Sequence, residues 1–176
     1  MTRILIRTSE TLDDAARLAA SLFLGLMVML IGIQVIARYI FADPPAWTEE
    51  GARYAMVWAG LLGATIAFRA ASDPVLVRPA IVTEGRLRFA GLAGRSLAVV
   101  LFLAPILYFC IFGPGLDPGR GFLARSAARQ AESLGVSMVW FTAALPLSIA
   151  IILIHVLASL ARRGAPAPQK DENHET

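Results

Sequence analysis

Apolar residues along this chain gather into four stretches separated by polar breaks, a pattern that predicts membrane-crossing helices. A helix needs about 20 predominantly apolar residues to cross the hydrocarbon core. Residues 18–37 give 20 positions free of Asp, Glu, Lys and Arg, residues 96–116 give 21, and residues 133–161 give 29. The remaining stretch, residues 54–68, has only 15 such positions. It reaches 22 over residues 47–68 if Glu49, Glu50 and Arg53 occupy the interfacial turns of the same helix. The expected fold is therefore an all-α integral membrane protein with four transmembrane helices, at about residues 12–39, 45–69, 84–112 and 133–161. Residues 1–163 form a single membrane domain in this reading, and residues 164–176, with Pro166, Pro168 and a run of charged positions, form a disordered tail.

The polar breaks set the helix ends and the orientation. Thr11 followed by Asp13 and Asp14 has the chemistry of a helix start, which places the beginning of the first helix near residue 12. A signal peptide is a poor description of this region, because Arg3, Arg7 and Arg17 are balanced by Glu10, Asp13 and Asp14 and no small-residue cleavage site precedes Arg38. Eleven basic residues fall in the N-terminal segment, residues 69–95 and the tail, against five on the other side: Arg38, Arg53, Arg120, Arg125 and Arg129. Lys and Arg near spans are retained in the cytoplasm, so both termini are expected there.

Between the first two spans, Asp43-Pro44-Pro45 forms an outer turn and Trp47-Thr48-Glu49-Glu50 opens the next helix. Proline suits a first helical turn, Trp47 suits the interface, and the two carboxylates complement the positive end of the helix macrodipole. Arg53 follows Glu49 by four residues and Glu50 by three, so it can pair with either. Residues 80–89 read as an amphipathic cytoplasmic connection at the membrane surface, with Thr83 as a cap for the third helix and Arg86, Arg88 and Arg95 near headgroups. Residues 113–121 hold four glycines and two prolines and predict a turn-rich outer loop. They are no phosphate loop, since neither Lys-Ser nor Lys-Thr follows. A short surface helix is expected at 124–132, with Arg125 and Arg129 one turn apart.

Composition narrows the chemistry. The chain is 57% hydrophobic and 16% charged, with a formal charge of +3, too small and too dispersed for nucleic acid binding. Cys110 is the only cysteine and excludes an intrachain disulfide. A bis-histidine haem site has only His155 and His174 to draw on, so a membrane electron-transfer protein is disfavoured, and His155 reads as a structural side chain near the inner end of its span. Ser and Thr residues are scattered through the spans without a base or paired carboxylates to activate them. Pro105 and Pro146 can kink the third and fourth helices, but the centres of the spans hold no charge for a substrate or coupling ion, and Gln34 alone is a weak site. No catalytic residue, metal or cofactor is expected. The polar positions that remain are Arg38, Trp47, Glu49, Glu50, Arg53 and Arg69, which can form an interfacial belt or a contact surface for another subunit.

Arg38-Tyr39-Ile40-Phe41, then Pro44-Pro45-Ala46-Trp47-Thr48-Glu49-Glu50, Ala52-Arg53-Tyr54, Trp58, Leu62-Gly63-Ala64 and Arg69 resemble the small membrane subunit, DctQ type, of the tripartite ATP-independent periplasmic (TRAP) transporters. Leu134-Gly135-Val136-Ser137-Met138 and Pro146 resemble that family's fourth helix region. The sequence departs at Asp73-Pro74, where the family often carries a histidine, and no role of that histidine transfers. The resemblance implies a non-catalytic subunit of the bacterial inner membrane, partnered by a large membrane subunit and a periplasmic substrate-binding protein. It implies uptake of a small organic anion, commonly a carboxylate, driven by an ion gradient. The implied role is a scaffold beside the large subunit, with Arg38, Trp47, Glu49, Glu50, Arg53, Trp58, Gly63 and Arg69 as the candidate interface or structural motif. Gly25, Gly32, Gly60 and Gly63 are candidates for close helix approach, within the bundle or to the partner. The small component of another tripartite carboxylate transporter is the alternative.

Overall fold

A computed structural model describes residues 2–72 and 86–164. Residues 80–85 of the expected amphipathic connection, with Thr83, the Asp73-Pro74 departure and residues 165–176 of the expected tail lie outside the described residues, whereas residues 86–89 and Gly164 are helical. Six α-helices form the described chain: α1 Thr2–Ile36, α2 Ala46–Ser72, α3 Arg86–Ile111, α4 Phe122–Ala127, α5 Val139–Thr142 and α6 Ala144–Gly164. A π-helical turn, Ala37–Phe41, extends α1, and a 3-10 turn, Pro118–Arg120, precedes α4.

The first helix starts about ten residues before the position expected from Thr11. That hydroxyl does not cap a helix start; it donates backwards to the carbonyls of Arg7 and Thr8, as a mid-helix threonine does. Tertiary packing explains the difference. Ser9, Asp13 and Ala16 are buried at spacings of four and three, so one face of the early turns is held against other helices despite the polar composition. At the other end the π turn closes with Ala42 in the left-handed region, and its N–H donates to the Ala37 carbonyl. Asp43 and Pro44 each precede a proline, which disfavours further helix.

α2 begins where the Pro45 carbonyl accepts both the Thr48 N–H, at 3.2 Å, and the Thr48 hydroxyl, at 2.6 Å. The loop after α3 is turn-rich as expected. Gly113 donates to the Asp117 carbonyl at 2.9 Å, and a Cβ on Gly121 would run into the Ile111 carbonyl. The short surface helix, α4, is shorter and earlier than expected and ends before Arg129, so Arg125 and Arg129 do not share one helix.

The last long helix also differs from its expected start at residue 133. Residues 129–138 form a small hairpin-like turn instead, with Ala131 N–H donating to the Val136 carbonyl at 2.8 Å, Met138 N–H to the Arg129 carbonyl at 2.9 Å, and Gly135 at positive φ. Helical backbone begins only at Val139 and is interrupted at Ala143. Pro146 lacks an N–H, so the Thr142 carbonyl has no donor four residues on.

The core joins three helices. Ala16 of α1, Leu62 of α2 and Ile151 of α6 are buried together, flanked by Phe23 and Trp58, whose rings stack at 5.3 Å. α3 meets this trio through α6 and reaches α4 at its outer end. By length and apolar character, Ile4–Phe41 and Val139–Ala161 qualify as membrane-crossing helices, each with a mean hydropathy of 2.3. The apolar run in α3, Ser96–Ile111, is shorter.

Candidate functional site

Polar side chains collect in two layers, one at each end of the α1–α2–α6 bundle. Glu50 in α2 belongs to one layer, termed outer after the orientation expected from the sequence, and Arg69 of the same helix to the other, termed inner. At a rise of about 1.5 Å per residue the two lie about 28 Å apart, close to the thickness of a bilayer's hydrocarbon core.

The outer layer centres on Glu50, which is only 7% exposed. One carboxylate oxygen accepts the Tyr54 hydroxyl at 2.8 Å and the Glu132 N–H at 3.0 Å. The other accepts the Ser133 N–H at 2.7 Å, the Leu134 N–H at 3.1 Å and the Ser133 hydroxyl. Three consecutive amides of the 129–138 turn thus converge on one side chain more than 80 residues away in sequence. Such donors hold a carboxylate in its ionised form and leave it no capacity for an exposed partner. Tyr54 stacks on Phe141, with ring centroids 3.5 Å apart, and the Trp58 indole N–H donates to the Trp140 carbonyl at 3.1 Å, beside the break between α5 and α6. A cleft of about 570 Å³ opens next to this joint, lined by Glu50, Arg53, Tyr54, Arg129, Glu132 and Met138 among others.

Glu49, one residue earlier, points elsewhere. It is exposed, lies 3.8 Å from Arg53 and accepts a long hydrogen bond, 3.4 Å, from Gln34 of α1. Arg53 therefore pairs with Glu49 and not with Glu50, which resolves the two partners the sequence leaves open. Arg38 sits exposed in the π turn beside Tyr39, Ile40 and Phe41, each more than 70% exposed. Trp47 is 44% exposed.

The inner layer has the opposite character. Asp13 of α1 is buried, and its Oδ2 accepts Arg69 Nη1 of α2 at 2.8 Å and Arg17 Nε at 2.9 Å. Ser9, one turn earlier on α1, is hydrogen-bonded to Nδ1 of His155 on α6 at 2.8 Å. α1, α2 and α6 thus meet through side chains as well as through apolar contact. Arg69 belongs to this group, at the far end of α2 from Trp47, Glu49, Glu50 and Arg53.

The sequence reading missed Ser9, Asp13 and Ser133. Ser9 and Asp13 carry a faint signal, a spacing of four that continues to Ala16, but the apparent cap at Thr11 obscures it. The glycines give a further correction. A Cβ at Gly25, Gly32, Gly60 or Gly63 would meet nothing within 4 Å, so none of them brings described helices together. Gly51 does, with Leu30 at 3.1 Å from its would-be Cβ. Gly60 and Gly63 instead line an open apolar groove of about 420 Å³ with Ala20, Leu24, Met27 and Met56.

Two polar layers about one hydrocarbon thickness apart, around an apolar helical belt, are the anatomy of a helical membrane protein. A family model described as tripartite ATP-independent periplasmic transporters, DctQ component, matches residues 27–164. The chain belongs to that family and is the small membrane component of a TRAP transporter. Its family works in tripartite systems with a large membrane subunit and a periplasmic binding protein. A search among curated proteins gave no match.

Proposed function

We propose that this subunit is a non-catalytic scaffold that seats the large membrane subunit along the bare flank of α1 and the groove between α1 and α2. The observation that carries the reading is the contrast in burial: the most apolar window of the helix over Ile4–Phe41 is 6% buried, whereas that of Val139–Ala161 is 44% buried. Water cannot account for so apolar a face, and in lipid small residues let a second helix approach closely. The groove supplies that surface with Gly60 and Gly63.

In this reading the chain crosses the bacterial inner membrane four times, with residues 1–163 as one membrane domain and both termini in the cytoplasm. The asymmetry of basic residues supports the orientation. Arg38, Trp47, Glu49 and Arg53 then face the periplasmic side, where they and the neighbouring cleft offer contacts to the large subunit and the binding protein. Glu50 and Trp58 shape that end from within, and Arg69 ties the cytoplasmic end. Uptake of a small organic anion, with a carboxylate as its charged group and an ion gradient as the energy source, rests on the family resemblance.

Coexpression of the tagged chain with its genomic neighbours, followed by purification in mild detergent, tests the scaffold role. A large membrane subunit is expected to copurify, and Gly60→Leu with Gly63→Leu is expected to reduce its recovery at least tenfold. The isolated chain should keep or gain thermal stability, because neither Cβ meets a neighbour, the rest of each leucine enters an open groove, and a helix interior favours leucine over glycine. Undiminished recovery with the filled groove, or no large subunit with the parent chain, overturns the assignment.

A further inference from the structure

The inner layer contains two buried polar atoms that have no hydrogen-bond partner among the described residues: Asp13 Oδ1 and His155 Nε2. Their side chains are otherwise fixed. Asp13 commits Oδ2 to two guanidinium groups, and His155 commits Nδ1 to the Ser9 hydroxyl. The two residues are 4% and 3% exposed. A buried polar atom without a partner costs about 1–3 kcal/mol, more when it carries charge, so two in one layer call for an explanation.

The chemistry of the two atoms is complementary. Asp13 Oδ1 can only accept. When the Ser9 hydroxyl donates to Nδ1, a neutral His155 carries its proton on Nε2 and can only donate there. Ser9 and Asp13 are one turn apart on one face of α1, a Cβ spacing of about 5–6 Å. Because Ser9 holds the imidazole of His155, the ring and the Asp13 carboxylate belong to one layer of the bundle.

The occupant follows by charge and access. A cation would share Asp13 with two guanidinium groups, and an anion would face the free carboxylate oxygen. A side chain from another subunit cannot reach atoms already buried within the single chain. A neutral molecule that donates to one atom and accepts from the other fits. We propose that one internal water molecule bridges His155 Nε2–H and Asp13 Oδ1, completing a chain from Ser9 through His155, water and Asp13 to Arg69 that ties α6, α1 and α2 together. Internal waters typically satisfy polar groups of this kind. The bridge holds His155 in the neutral Nε2-protonated tautomer and makes it a positioning residue for the inner end of the bundle.

The chain has two histidines, so His174→Gln leaves one imidazole to observe. Nitrogen-15 histidine labelling of that full-length protein in lipid bilayers, read by solid-state NMR, should show a neutral ring protonated at Nε2. That proton should give a cross-peak to a slowly exchanging water. Arg17→Gln, a change at the more exposed partner of Asp13, should preserve the cross-peak, and Asp13→Ala should abolish it. A ring protonated at Nδ1, an Nε2–H without a water correlation, or a cross-peak that persists in Asp13→Ala overturns the proposal. The tautomer and the water correlation are read without altering Asp13, so a misfolded Asp13→Ala protein leaves the test decisive.

Discussion

The outer and inner layers each place a buried carboxylate at a helix junction, yet they satisfy it in different ways. Glu50 is held by uncharged donors, three of them backbone amides, and the result is a shaped loop beside an open cleft. Asp13 is held on one oxygen by two guanidinium groups, from α1 and α2, and with the Ser9–His155 bond one turn away the result is a knot of three helices. Backbone donors arranged around a carboxylate define local geometry. Charged side chains spread over several helices define how those helices stand relative to one another.

Removing the centre of each layer should separate these roles. The largest effect is expected at the inner knot. Asp13→Ala removes the buried carboxylate that Arg69 and Arg17 share and should lower stability by about 3–5 kcal/mol, the cost of breaking a buried pair from one side. Thermal unfolding in mild detergent measures it. Glu50→Ala comes second, at about 2–3 kcal/mol, because the stranded amides of residues 132–134 can turn partly towards solvent. Its signature is local: hydrogen exchange should accelerate at residues 129–138 while the contact between Ser9 and His155 persists. Comparable acceleration at both ends would mean that the layers are not separate units. Glu49→Gln is expected to have the smallest effect, about 0.5 kcal/mol or less, because its pair with Arg53 is exposed and long. A loss at Glu49 equal to that at Glu50 would erase the distinction between these adjacent residues.

That distinction marks how far local sequence carries. Neighbouring helix positions point about 100° apart, so only one of two consecutive glutamates can face the 129–138 turn. Trp47-Thr48-Glu49-Glu50 identifies the start of α2 to within a residue or two, since proline, interfacial tryptophan and dipole-matched carboxylates act locally. Which glutamate turns inward depends on a segment more than 80 positions later. The same limit explains residues 133–138. Their charge-free composition reads as helix, but Glu50 takes the Ser133 and Leu134 amides and Gly135 adopts a left-handed turn. Asp13 and Arg69 likewise look like unrelated flanking charges until packing brings their helices side by side. The family signature was legible because its residues are local, and the polar knot at the inner end was not because its members come from three helices.

Both layers bond the first two helices to the last part of the chain: Glu50 to the turn before α5, and Ser9 to His155 in α6. α3, by contrast, meets the bundle through α6 and α4. The polypeptide is thus assembled as two interlocking pieces whose mutual recognition is written in side chains at both ends of the bundle. Continuity of the backbone between Ser72 and Arg86 is then dispensable for that recognition. Two separately translated pieces divided there should find one another in the membrane and copurify.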